Sequence, residues 1–142
     1  MLISTKGRYA LRVMIDLAEH QTEGYIPLKR IAERQDISEK YLESIIKLLV
    51  RVDLLNGLRG KGGGYKLTKA PEQYTVGSIL RLTEDSLAPV SCLEAGAKPC
   101  ARAAECRTLG MWQGLNQVIS DYLEHVTIAD LTMPGGAGEY VI

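Results

Sequence analysis

Apolar residues in the first half of the chain recur at three- and four-residue spacing in three separate runs. In the first, Ala10, Val13, Met14, Leu17 and Ala18 fall on one face behind Ser4, a capping residue type. That predicts a helix from Ser4 to about His20. The segment EGYIP then turns the chain. Leu28, Ile31 and Ala32 predict a short helix over 28–35, and Asp36-Ile37 supply a turn. Ser38 caps a longer third run with Leu42, Ile45, Ile46 and Leu49 inward. Two helices joined by so short a turn predict a helix-turn-helix.

The period changes at residues 58–67, LRGKGGGYKL, where four glycines lie among Arg59, Lys61 and Lys66, between Leu58 and Leu67. Glycine supplies the positive φ of a tight hairpin tip and lets a backbone come close to a partner. Pro71 ends this hairpin, and Thr75 opens a helix through about Thr83 with Val76, Ile79, Leu80 and Leu82 on its apolar side. Residues 84–107 lose periodicity and turn rich in Ala, Pro and Cys. A long helix resumes from Thr108 to about Val126, striped by Met111, Trp112, Leu115, Val118, Ile119, Tyr122 and Val126.

The expected architecture is mainly α with a small β-hairpin wing: a winged helix-turn-helix followed by a long C-terminal helix. Residues 1–83 form the DNA-binding domain, 84–107 a cysteine-rich loop, 108–130 the helix and 131–142 a flexible tail. The small winged-helix core already has its apolar faces, so the last helix is read as a dimerisation helix.

Composition sets bounds on this picture. At 142 residues and 46% hydrophobic the chain is one domain, or one with an extension, and can form a core. No run of about 18 apolar residues exists, which argues against a membrane span. The start, MLISTKGRYA, does not read as a signal peptide, and a cytoplasmic location is expected. The net charge of +0 hides an asymmetry: residues 1–69 carry 13 Lys+Arg against 8 Asp+Glu, and the remainder reverses the excess. A basic front on a neutral protein suits a phosphate-facing surface.

The third helix presents the contact residues of that surface. Its first turns, with Ser38 at the cap and Lys40, Tyr41, Glu43 and Ser44 beyond it, are the candidates for major-groove readout. Lys47 and Arg51 lie further along and suit phosphates, as do Arg59 and Lys61 on the wing. A dimer would set two such helices in successive grooves of a pseudo-palindromic site in double-stranded DNA, about 34 Å apart.

Cys92, Cys100 and Cys106 are the only cysteines, spaced C-x7-C-x5-C. An odd count in one irregular loop argues against a disulfide framework and favours a metal or cluster site over inert or redox-only thiols. Structural zinc prefers closer pairs and four ligands, so an iron–sulfur cluster completed by a non-cysteine ligand suits the spacing better. An enzyme is disfavoured: His20 and His125, the only imidazoles, lie on predicted helices with no nucleophile motif around them, and RGKGGGYK precedes no helix.

MLISTKGRYALRVMIDLA, ISEKYLESIIKLL, RGKGGGYKL, the three-cysteine loop and the Trp112 helix together resemble the iron–sulfur cluster regulator family. Its nitric-oxide-sensing and cysteine-metabolism repressors are included, and the likeness runs from Ser4 to about Asp130. The resemblance implies a homodimeric winged-helix transcription factor with a [2Fe-2S] cluster on Cys92, Cys100 and Cys106. It further implies that Glu43 selects between DNA motifs according to cluster occupancy, that Lys40 reads a base and that Arg59 enters the minor groove. The iron–sulfur regulators place a fourth-ligand His where this chain has Leu109. The nitric-oxide sensors take an acidic ligand from the partner's first helix, where this chain has Arg8. Glu105 beside Cys106 is left as a candidate. The closing EYVI and residues 84–90 resemble the cysteine-metabolism repressor, which lacks the cluster. The expected function is therefore a cluster-controlled repressor, or dual regulator, of cluster-assembly or cysteine and sulfur-supply genes. The alternative is a cluster-free repressor responding to thiol oxidation or a partner protein.

Overall fold

The computed structural model describes residues 1–132; the tail expected over 131–142 lies outside the described residues from position 133 onward. Among the described residues there are five α-helices and one two-stranded sheet. In chain order they are α1 (Thr5–Glu19), α2 (Leu28–Gln35), α3 (Glu39–Arg51), β1 (Leu55–Leu58), β2 (Gly64–Leu67), α4 (Val76–Thr83) and α5 (Leu109–His125). This is the mainly α winged helix-turn-helix that the pattern predicts.

The helices start where hydroxyls can cap them. Ser4 Oγ accepts from the Gly7 amide, Ser38 Oγ from Tyr41 and Thr75 Oγ1 from Ser78, at 3.0, 3.2 and 3.0 Å. α2 ends because Asp36 turns left-handed at φ 54°, a conformation that Asp tolerates. The amides of Asp36 and Ile37 both return to the Ala32 carbonyl, and Ile37 is buried beneath the turn.

Ala10, Val13, Met14 and Leu17 of α1, Ile31 of α2 and Leu42, Ile45, Ile46 and Leu49 of α3 share one buried cluster. Each large aliphatic side chain there contributes about 1.5–3 kcal/mol by leaving water. One charge enters this interior. Asp16, 1% exposed, accepts from Arg34 Nε and Nη2 at 2.9 and 2.6 Å and from Gln35 Nε2 at 2.8 Å, joining α1 to α2. These hydrogen bonds to Asp16 raise the Arg34 pKa above its ordinary value, against a smaller opposing effect of burial.

The wing pairs Leu55 with Leu67 through Leu58 with Gly64, antiparallel. Ile26 extends the ribbon by exchanging two 2.9 Å hydrogen bonds with Tyr65. Gly64 is required at that crossing, because a Cβ there would lie 2.2 Å from the Ile26 carbonyl oxygen. Buried Tyr74 ties down the wing base: its hydroxyl donates to the Leu54 carbonyl at 2.9 Å and accepts from the Thr68 and Lys69 amides at 3.0 Å.

Only the C-terminal end of α5 is built into this body. The Val76 amide donates to the Val126 carbonyl at 2.8 Å and the Ile128 amide to Tyr74 at 2.9 Å, placing Ile128 in the core. Arg81 pairs with Glu124 beside this junction. The short turn Ala129–Leu131 then packs Leu131 on Val76, Leu80 and Val126. No helix among the described residues is long and apolar enough to cross a membrane.

Candidate nucleic-acid interface

Burial of the α3 stripe forces the opposite face outward. Ser38, Lys40, Tyr41, Glu43, Ser44, Lys47 and Arg51 are all exposed there, as are Arg59 and Lys61 on the wing. The wing lies against the C-terminal half of α3, so Lys47, Arg51 and Arg59 rim one groove of about 490 Å³. Ile46, Val50, Gly57, Leu58 and Tyr65 complete its lining. Gly60 at φ 89° and Gly62 at φ 77° form the tip and hold Arg59 and Lys61 beyond the strands. Three cations around a partly apolar slot match a sugar–phosphate strand in charge and in surface.

The individual readers are less alike than their shared face suggests. Glu43 Oε1 lies 3.2 Å from Lys47 Nζ one turn on, so a proposed base reader and a proposed phosphate contact are paired in the unbound protein. Ser44 Oγ donates to the Tyr41 carbonyl at 2.7 Å, and the Ser38 hydroxyl is engaged in its cap. The Tyr41 ring meets Tyr9 of α1, with centroids 5.6 Å apart and planes at 59°. Periodicity gave Tyr9 no role, and no local sequence signal marks this pairing.

The three cysteines occupy the segment between α4 and α5. Cys92 lies in the turn Ser91–Leu93, and all three thiols are exposed and unpaired. Glu105 is exposed beside Cys106. Hydrogen bonds from the hydroxyl and amide of Thr108, at the head of α5, hold the Cys106 thiol below its ordinary pKa, with Sγ 3.5 Å from the Thr108 hydroxyl. Among the described residues no three His, Cys, Asp or Glu side chains are gathered closely enough to hold a metal ion. The donors therefore fit an iron–sulfur cluster in kind and exposure, while the fold does not draw them together.

At the near end of that segment Glu84 grips the start of α1. The Ser4 amide and hydroxyl donate to its two carboxylate oxygens at 2.6 Å each, and Thr83 Oγ1 adds a bond at 2.8 Å. Desolvation pushes the Glu84 pKa up, but the Ser4 and Thr83 hydrogen bonds together carry it below the ordinary carboxylate range. Beyond the segment, α5 exposes Met111, Leu115, Val118 and Tyr122 along one side.

A helix-turn-helix beside a glycine-tipped cationic wing defines a winged-helix protein that binds duplex DNA. Residues 3–134 match the Rrf2 family, iron-dependent transcriptional regulators, and the chain belongs to that family. It is 39% identical over 131 residues to the HTH-type transcriptional regulator IscR of Erwinia tasmaniensis, covering 92% of this chain and 78% of that one. Its fold is similar to that of CymR (YrzC), the global cysteine regulator of B. subtilis, with a TM-score of 0.75 and 35% identity over 92% of this chain and 95% of that chain. The IscR structure from T. potens superposes with a TM-score of 0.71 and 34% identity over 99% and 97%. Like these named relatives, the protein is a transcription regulator and not an enzyme.

Proposed function

We propose that the protein is a cytoplasmic homodimeric repressor, with activation at some sites, whose grip on a pseudo-palindromic operator is set by a [2Fe-2S] cluster on Cys92, Cys100 and Cys106. One observation carries this reading: Cys106 hydrogen-bonds to Thr108, where the helix with the uncovered apolar side begins. The thiols thus adjoin the surface that would join two copies, and two copies set two α3 helices on one operator. When bound, the cluster would supply a redox-active, exchangeable iron centre. The chain's own part is to present the three thiols, to favour thiolate at Cys106 and to anchor the segment at Glu84. Within each subunit, Lys40, Tyr41, Glu43 and Ser44 read bases, Ser38 holds the cap that aims them, and Lys47, Arg51, Arg59 and Lys61 take phosphates or the minor groove. Genes for cluster assembly or for cysteine and sulfur supply are the proposed targets, the latter in keeping with CymR, the global cysteine regulator of B. subtilis.

A second reading, control by thiol oxidation without a cluster, is favoured by the thiolate bias of Cys106 and by the ungathered cysteines. One experiment separates the two. The protein is purified without oxygen, reconstituted, and assayed for iron, sulfide and absorbance; apo and loaded forms are then titrated against duplexes selected from a random pool. The cluster reading expects about two irons and two sulfides per bound cluster and a changed affinity or motif. An iron-free product with unchanged binding leaves only the thiol reading. Leu115→Glu places a charge in the uncovered face, and sedimentation should show a shift from dimer to monomer of about 100-fold in Kd, roughly 2.7 kcal/mol.

A further inference from the structure

A continuous set of contacts runs from the buried carboxylate of Asp16 to the recognition helix. Asp16 accepts from Gln35 Nε2 at 2.8 Å, and Gln35 Oε1 accepts from Arg12 Nε at 3.2 Å. Arg12 Nη2 also donates to the Gln35 carbonyl, so the guanidinium is fixed in plane by the last residue of α2. From there its Cζ stands 5.1 Å from the centroid of the Tyr9 ring. Tyr9, half-buried against the core, meets the exposed Tyr41 at 5.6 Å and 59°. Aromatic pairs favour such tilted contacts at centroid separations of roughly 4.5–7 Å, and a guanidinium near a ring face adds electrostatic attraction.

The geometry points to Tyr9 and Arg12 as positioning residues for DNA readout, holding the Tyr41 ring in the orientation in which it meets the base edges. Tyr41 is the only one of the candidate readers whose side chain has such a ring contact outside its own helix. A ring held on one side by α1 reaches the groove with little rotamer freedom left to lose, and that preorganisation favours the matched sequence over a mismatched one. Phosphate contacts elsewhere on the surface do not depend on it. This inference rests on the reading that Tyr41 faces DNA.

The test compares intact protein and its variants on a duplex selected by the wild type from a random pool and on a scrambled duplex of equal length and composition. Tyr41→Ala should weaken binding to the selected duplex about tenfold and leave the scrambled one within about twofold. Tyr9→Leu keeps apolar volume at the core but removes the ring; it should lose about fivefold on the selected duplex only, with a melting midpoint lowered by no more than a few degrees. Arg12→Lys, which breaks the planar grip on Gln35, should act in the same direction, and Tyr9→Phe should match the wild type. The double variant Tyr9→Leu/Tyr41→Ala should bind no more weakly than Tyr41→Ala alone. Additive losses in the double variant, or equal losses on both duplexes, would overturn the positioning role. An inert Tyr41→Ala would instead remove the underlying reading of Tyr41. Should Tyr9→Leu fail to fold, Arg12→Lys against Tyr41→Ala supplies the same cycle.

Discussion

α3 buries its apolar stripe inside its own subunit, whereas α5 leaves most of its stripe in water. Leu42, Ile45, Ile46 and Leu49 are at most 1% exposed, while Met111, Leu115, Val118 and Tyr122 are 40–64% exposed. α3 is short enough to lie wholly across α1 and α2, and the wing covers its end. α5 is hydrogen-bonded to the body through its last turn and the strand-like return at Thr127. One side of its middle faces residues 81–95 through Asn116, Ile119 and Ser120, so the side bearing Met111, Leu115, Val118 and Tyr122 stays in water. An amphipathic stripe states that something covers a helix; it does not state whose residues do so.

The sharpest way to break this comparison is to cut both stripes in the same manner. Ile45→Ala should destabilise the fold by about 4 kcal/mol, in the upper part of the range for a fully buried aliphatic. Val118→Ala should move the stability of the isolated subunit by less than about 0.5 kcal/mol. Both are read from denaturant unfolding at protein concentrations low enough to suppress association. Equal losses would mean that α5 is covered within one subunit after all.

What could be read beforehand follows the same division. The helices whose stripes are satisfied locally were legible, since Ser4, Ser38 and Thr75 cap where a hydroxyl precedes an apolar run. So was the glycine tip of the wing, although its first strand lies upstream of residues 58–67, at Leu55–Leu58. Asp16 was legible in principle, as a carboxylate inside an apolar stripe, but its partners Arg34 and Gln35 lie on another helix and leave no periodic trace. The Tyr9–Tyr41 contact and the Ser4–Glu84 grip join positions far apart in sequence, and spacing cannot report such pairs. The cysteine spacing suggests a shared ligand, yet among the described residues the three thiols are not gathered into a group that could hold a metal ion.

The hold of the cysteine segment on α1 can be probed through acid. Glu84 is held below the ordinary carboxylate range when folded, so its contribution is present above the unfolded value and is lost as pH falls through the folded one. The melting midpoint should therefore fall between about pH 5 and pH 3, and Glu84→Gln should flatten part of that fall while lowering the midpoint at neutral pH. The effect is modest, because the group is near the surface. An unaltered acid profile in the variant would show that Ser4 and Glu84 do not hold α1 to the cysteine segment in solution.

The smallest expected stability change concerns the most informative surface pair. Glu43 and Lys47 are both largely exposed, and such pairs one helical turn apart are worth about 0.3–0.5 kcal/mol and weaken with salt. Glu43→Gln should therefore leave unfolding almost unmoved, and a double-mutant cycle with Lys47→Gln should recover only those few tenths. Binding is another matter. Removing the carboxylate deletes the proposed acceptor for a cytosine amine and also releases Lys47 toward phosphate, so total affinity can rise while discrimination falls. The two effects separate in a salt titration: the phosphate part grows steeper with Lys47 released, while the motif recovered from a random pool changes at one position in each half-site. A Glu43→Gln protein that selects the wild-type motif would confine this residue to neutralising its neighbour, and the contrast between α3 and α5 would then rest on packing alone.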